Sequence, residues 1–514
     1  MLSDISTIPK QSLTYNRLLG IGGASVAPYS WWIVGIRVVE GLWGCLTSCG
    51  HFVLSRRMLF RHRLAVFLLL LALGMDWVGA QAVPTDWPTK PLSLSDALEI
   101  ALRQNNAILK GKQDIEESQG LALQLKGVYT PKIRSTGRYT AVELAKIEVA
   151  SFGAPGQATN GFRFQGDQNW NADVQITQPI YAGGRLKSAQ RQSKLTLEAI
   201  VANYHAVVAD ALLQVRVTFQ DLLLAAETIQ VNEASIQLLE KELADTRRRF
   251  EAGVVPRFNV LRAEVELANA KPRLFRARNA QRTARNTLAM VLGYTVPKEA
   301  GLDVPLEISG SLIQETHDLS LSDALLRAMS QRTELKALRT GEKIRDEEVI
   351  QAKAGLYPNL GLFGGYGWQN KNFPHALNRS VDGWLTGAQL QWDVWDFGTT
   401  RGKVQSAKAR KERSQLETQD AYRQIELQVR TAHSNFLEAR DVLESQARVI
   451  EQAEEALRLA TARAEAGTGT QLDVLGAQTA LTQARNTYAQ ALRDHTVAWD
   501  RLQRAVGGGV KISK

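Results

Sequence analysis

Cysteine is almost absent: the chain has two in 514 residues, Cys45 and Cys49, and none after them. Neither a disulfide framework nor thiol chemistry can operate in the remaining length. Proline is scarce (14 residues) and aromatics make up 7%. The five histidines beyond Ala82 (His205, His317, His375, His433, His495) stand isolated in the sequence. There is no His-x-x-x-His pair, no Gly-x-x-x-x-Gly-Lys-Ser/Thr loop and no Gly-x-Ser-x-Gly, so no catalytic, metal or cofactor site is expected and an enzyme is excluded. Long apolar runs are missing too. The longest, Leu64 to Leu73, is too short to span a bilayer as a helix.

That short run has a role of its own. It follows Arg61, His62 and Arg63 and precedes Val78-Gly-Ala80 and Ala80-Gln-Ala82, the layout of an export signal over 58–82. Residues 1–57 are then a doubtful upstream extension, and 83–91, with three prolines, an extended leader. Removing everything up to Ala82 takes away seven Lys/Arg and three Asp/Glu, which lowers the formal charge from +10 to +6. The remaining basic residues alternate with acidic ones, as in Glu240-Lys241-Glu242. That is a solvated helix face and not a nucleic-acid stripe.

What the chain has in abundance is itself. Arg249-Phe-Glu-Ala-Gly-Val-Val-Pro-Arg-Phe-Asn-Val-Leu-Arg262 returns as Arg463-Ala-Glu-Ala-Gly-Thr-Gly-Thr-Gln-Leu-Asp-Val-Leu-Gly476, and Gly253/Gly467, Val260/Val474 and Gly293/Gly507 are all 214 positions apart. This is a tandem duplication: repeat 1 at 92–293, a linker at 294–318, repeat 2 at 319–507 and a tail at 508–514. Each repeat opens on a serine-capped helix (Ser93 or Ser95; the Leu319-Ser-Leu-Ser segment) stopped by Tyr129-Thr-Pro131 in the first and Leu356-Tyr-Pro358 in the second. The first of these helical patterns reaches about Val128.

After each proline the hydrophobic period changes from 3.6 to 2, predicting hairpins over about 132–181 and 359–395. Arg134, Thr136, Arg138 and Thr140 alternate with Ile133, Ser135, Gly137, Tyr139 and Ala141; Ala172, Val174 and Ile176 oppose Asn171, Asp173 and Gln175. Runs of about ten residues with Tyr and Trp at their ends suit tilted transmembrane strands, with soluble hairpins as the other reading. Junction residues Pro179, Gly183, Gly184 and Gly398 turn strand into helix. Arg185 to Ala252 then runs without a single glycine or proline, and Gly402 to Ala466 has none after its first residue. Such helices are about 100 Å long. Each breaks at a glycine tip (252–257 and 466–471) and returns through a second helix, where Pro272 should kink or unwind the first return helix.

Four strands cannot close a barrel, and an open edge cannot sit in lipid. At least two chains must share one barrel, and three would give about twelve strands. Together these motifs resemble the TolC-like outer-membrane efflux protein family over about 92–507. The resemblance implies a mixed α and β membrane protein: a homotrimer with a twelve-stranded outer-membrane β-barrel, four strands per chain, continuous with a long periplasmic α-helical coiled-coil barrel. It implies a passive duct for small molecules such as drugs, metals or metabolites, docking on a periplasmic adaptor and an inner-membrane RND or ABC pump. A polypeptide-secretion channel of the same family is an alternative, and a periplasmic coiled-coil scaffold a more distant one. The resemblance also places a tunnel constriction at Asp473, Gly476, Asn259 and Arg262, and adaptor-contact turns at Gly253, Val254, Val255, Pro256, Gly467, Thr468 and Gly469. Glycine at 253, 467 and 469 is expected to meet a left-handed backbone. For Asp473 two readings stand together: a carboxylate ring, or a helix N-terminal charge.

Overall fold

The computed structural model describes residues 87–88, 90–127, 130–146, 149–150, 162–163, 168–295, 301–370 and 380–508. The chain divides after Ala82, and the described residues all belong to the second unit. The expected extension at 1–57 and export signal at 58–82 lie outside them, as do Tyr129, His375, parts of the leader and hairpin loops, and residues 509–514.

Repeat 1 runs α1 (Leu94–Gln104), α2 (Asn106–Gly127), β1 (Lys132–Ala141), a two-stranded ribbon of β2 (Val149–Ala150) and β3 (Phe162–Arg163), β4 (Gln168–Ala182), α3 (Arg185–Glu251) and α4 (Arg257–Leu292). Repeat 2 runs α5 (Leu321–Gln331), α6 (Thr333–Lys353), β5 (Asn359–Asn370), β6 (Ser380–Gln391), α7 (Thr399–Glu465) and α8 (Gln471–Ala505). The two long helices are 67 residues each. Both repeats open on the same cap, in which Ser93 and Ser320 accept from the amides of Asp96 and Asp323.

The single helical pattern expected from Ser93 to about Val128 is broken in two. At Asn105 ψ is 124°, which ends α1. Its Oδ1 accepts from Ala107 N at 2.9 Å to start α2, and its Nδ2 donates to Val291 O at 2.7 Å. The same break occurs in repeat 2 at Arg332, where ψ is 120°. What packs against each bend lies far off in sequence. Gly293, at φ 92°, presses against the kink so closely that a Cβ there would sit 2.5 Å from Gln104 O, and Gly507 crowds Arg332 N in the same way at 3.0 Å.

Two cores follow from the duplication. Ala97, Ala101, Val215, Leu222 and Leu288 pack in the first; their counterparts Ala324, Ala328, Val429, Phe436 and Leu502 pack in the second. Each large side chain so buried contributes about 1.5–3 kcal/mol. α2 and α6 both pack on α3, and α6 also packs on α7. The expected linker is more than a connector. Leu92 forms a parallel bridge with Ile308, donating to Glu307 O at 2.8 Å and accepting from Ser309 N at 2.9 Å, while Val304 and Leu306 enter the first core. Trp87 of the leader stacks on Tyr294 at 4.8 Å. Helix α4 continues through Pro272, so of the kink or unwinding expected there the unwinding does not occur.

The four long strands form one antiparallel sheet in the order β1-β4-β5-β6. The two hairpins are thus joined side by side through β4 and β5, and β1 and β6 are left as edges.

Candidate functional site

The two tips are built alike. After α3, Gly253 at φ 76° donates to Phe250 O at 2.9 Å and Val254 donates to Arg249 O at 2.8 Å; after α7, Gly467 at φ 75° donates to Ala464 O and Thr468 to Arg463 O at 3.0 Å. Both are helix ends sealed by a left-handed glycine, which returns amide donors to otherwise orphaned carbonyls. Gly469 differs from expectation, for its φ is not positive. Space is what it needs: its amide donates to Arg463 O at 2.9 Å, and a Cβ would lie 2.9 Å from Arg463 Cβ and 3.0 Å from Ala464 N. The first tip has Val255 there.

The helices that leave the tips begin differently. Pro256 starts α4 with no side-chain cap. Thr470 starts α8 with a capping box, its hydroxyl donating to Asp473 Oδ2 at 2.7 Å and its amide donating to the same oxygen at 3.0 Å. The Thr470 hydroxyl and amide hold the Asp473 carboxyl below its ordinary range, with the Arg463 charge adding to the effect. Asp473 therefore serves as a helix N-terminal charge while remaining exposed, as does Gly476; Asn259 and Arg262 are half-buried. Among the described residues, no hydrogen bond or ion pair within the chain joins Asp473 to Asn259 or Arg262. Gln471 reaches across to Glu242 of α3 at 3.2 Å, and Leu475 packs on Leu239 and Ala270, so the second tip leans on the first hairpin. The first tip instead exposes Val254 (71%) and Phe258 (67%).

At the other end of the long helices, Pro131 and Pro358 immediately precede β1 and β5. Gly184 (φ 84°) and Gly398 (φ 87°) start α3 and α7. Pro179 is not a junction residue: it lies inside β4, where the pairing with β5 shifts register between Pro179 and Tyr181. Having no amide hydrogen, proline interrupts the ladder and leaves a bulge. Gly183 cannot carry a side chain, since a Cβ would meet Ala354 O at 2.6 Å. Its counterpart at the repeat offset is Phe397, which holds the same left-handed backbone at φ 52° and is 91% exposed. Composition and periodicity do not signal it; reading the glycine's required φ across the repeat offset would have. Beside it Asp396 accepts from Thr400 N at 2.7 Å, and the Thr400 hydroxyl and amide hold its carboxyl below the usual range.

Register and alternation separate the sheet into two faces. Ile133, Val174, Ile176, Leu362, Tyr366, Trp368 and Trp384 share one; Lys132, Arg134, Thr136, Arg138, Asn171, Asp173, Gln175 and Gln389 share the other. The expected alternation is present on all four long strands, although β6 stops at Gln391 and leaves Trp392 and Trp395 in the passage to α7. Among the described residues, no helix is long and apolar enough to cross a membrane. Three of the histidines isolated in sequence pack against the second core: His317 stacks on Trp499 at 4.1 Å, His495 lies 5.3 Å from Phe436, and His433 meets Leu319 O at 3.0 Å.

A family model described as "Outer membrane efflux protein" matches residues 98–294 and 324–508, one segment per repeat. The outer membrane protein TolC of Vibrio cholerae is 24% identical over 66% of this chain and 76% of its own. The alkaline protease secretion protein AprF of Pseudomonas aeruginosa is 24% identical over 68% of this chain and 73% of its own. The Campylobacter jejuni CmeC outer membrane channel superposes with a TM-score of 0.69 at 16% identity, covering 82% of this chain and 87% of that one. The chain belongs to the outer membrane efflux protein family, and is an outer-membrane exit duct with a helical periplasmic extension.

Proposed function

We propose that three copies of this chain close a twelve-stranded barrel in outer-membrane lipid and extend it through the periplasm as a tube of α3, α4, α7 and α8. One observation carries this reading: a two-faced antiparallel sheet with both edges open leads, at Gly184 directly and after Gln391 through a short passage ending at Gly398, into 67-residue helices. Edges left unpaired in hydrocarbon would strand backbone donors and acceptors, so β1 of one copy pairs with β6 of the next. The apolar face with Ile133, Val174 and Trp384 meets lipid, and the polar face lines the lumen.

The duct has no energy source of its own. It takes small molecules from an inner-membrane RND or ABC pump through a periplasmic adaptor that docks at Gly253, Val254, Val255 and Pro256 and at Gly467, Thr468 and Gly469. The exposure of Val254 and Phe258 supports docking at the first tip. The tunnel constriction sits at the same end, with Asp473, Gly476, Asn259 and Arg262 contributing rings by symmetry. The test is outer-membrane fractionation followed by mass measurement of the detergent-solubilised protein. A trimer in the outer membrane is expected; a monomer in soluble periplasm overturns the proposal.

A further inference from the structure

The polar face of the sheet carries an unbalanced charge. Lys132, Arg134 and Arg138 stand on it in alternating register along β1, opposite Thr177, Gln175 and Asn171 of β4. At about 3.3 Å per residue they form a ladder roughly 20 Å long. Among the described residues of the four long strands, the one carboxylate on that face is Asp173, which accepts a hydrogen bond from Thr136 Oγ1 at 2.5 Å. β5 has no charged residue, and the single charge of β6, Asp382, shares the apolar face with Trp368. β1 and β6 are the two edges, and β6, the edge that closure would bring against the ladder, has no carboxylate on the polar face within Ser380–Gln391. Three cations against one anion leave +2 per chain, and three chains give +6.

We propose that this stretch of the duct favours anionic small molecules, bearing carboxylate, phosphate or sulfonate groups, over cations. This rests on the reading that the polar face lines the lumen. Twelve strands about 4.8 Å apart, tilted about 40°, enclose a tube roughly 24 Å across between backbones. Side chains reduce the open radius to about 7 Å, less than the screening length of about 8 Å at physiological salt, so the wall charge reaches the axis. Rings of Arg and Lys are the usual device of anion-conducting pores.

The experiment reads local potential, independently of how far the tips open. With Cys45→Ser and Cys49→Ser in the full-length protein, reconstituted in liposomes, Asn171→Cys on the polar face and Val174→Cys on the apolar face are each reacted with two methanethiosulfonates, one an anionic sulfonate and one a cationic trimethylammonium. At Asn171→Cys the anionic reagent should gain over the cationic one, relative to their rates with 2-mercaptoethanol. Adding Arg134→Gln and Arg138→Gln should lower that ratio about fourfold, the effect of one charge about 6 Å away and another about 13 Å away under screening. Labelling at Asn171→Cys with a ratio that the two Gln substitutions leave unchanged overturns the anion preference while sparing the lumen assignment. Protection of Asn171→Cys together with labelling of Val174→Cys overturns the lumen assignment itself.

Discussion

Phe397 is a phenylalanine where the other repeat has glycine, held at φ 52°. A left-handed backbone costs a side-chain-bearing residue about 1–2 kcal/mol, whereas glycine loses about 0.5–1 kcal/mol of folding stability to chain entropy. Phe397→Gly should therefore raise thermal stability in detergent by up to about 1 kcal/mol, read as a small upward shift of the melting temperature. A lower melting temperature would mean that the exposed ring makes contacts within the protein that outweigh the strain. Asp473 poses a different question, since its carboxylate is already used by Thr470. A capping carboxylate keeps its charge and is still exposed, so one group can both start a helix and face a tunnel. Asp473→Ala should weaken block by trivalent cations in planar-bilayer recordings, with Asp473→Glu retaining part of it. Block that survives Asp473→Ala would assign the residue to capping alone.

At the scale of elements, the left-handed glycines divide into two kinds. Gly253 and Gly467 face open space, so alanine meets only the backbone cost, about 1 kcal/mol. Gly293 also presses on Gln104 O across the α1–α2 kink, so Gly293→Ala should cost about 3 kcal/mol or more, because the obstructing atom is backbone and cannot rotate away. Chemical denaturation of Gly253→Ala and Gly293→Ala checks this difference; equal losses would show that the kink yields. Proline is a harsher test of the tips. It cannot adopt φ 76° and removes the amide that donates to Phe250 O. Gly253→Pro is expected to leave trimers intact, since the tip lies at the far end of α3 from the sheet, yet to abolish export. An exporting variant would make the tip a passive connection.

The whole molecule is tied together at Arg504 of α8, whose side chain is 12% exposed and reaches Asp210 of α3 and Glu334 of α6, both at 2.6 Å. Burial alone would raise the Glu334 carboxyl, but the Arg504 hydrogen bond and the neighbouring positive charges overcome it and hold it below its ordinary value. The folded pKa is depressed, so the stability from this contact is present above the unfolded carboxylate value near 4.5 and is lost as pH falls through the folded one. Melting temperature followed below about pH 5 should fall more steeply for the natural protein than for Glu334→Gln, which starts lower. Parallel curves would place the acid sensitivity elsewhere. Arg504→Ala should cost about 2 kcal/mol at neutral pH, discounted because Asp210 is 64% exposed.

The sequence by itself determined the duplication, the change of period from 3.6 to 2, the unbroken length of α3 and α7, and the glycine tips. Each is a local demand, repeated at a constant offset, and local demands are legible: an amphipathic stripe, a residue that tolerates a left-handed backbone, a run with no breaker. It did not show that the helices bend at Asn105 and Arg332, because the residues packed against each bend, Gly293 and Gly507, sit at the opposite end of each repeat. Nor did it show that the linker pairs with Leu92 and fills a core through Val304 and Leu306, since an extended apolar residue looks the same whether its partner exists or not. Pro179 read as a junction because proline ends strands more often than it interrupts them; only the ladder with β5 placed it inside one. The order β1-β4-β5-β6, which puts the strand with all three cations of the long strands at an edge, depends on which distant backbones find each other. Pairing is a tertiary event, and it decided where in the sheet the charges already legible in the sequence stand.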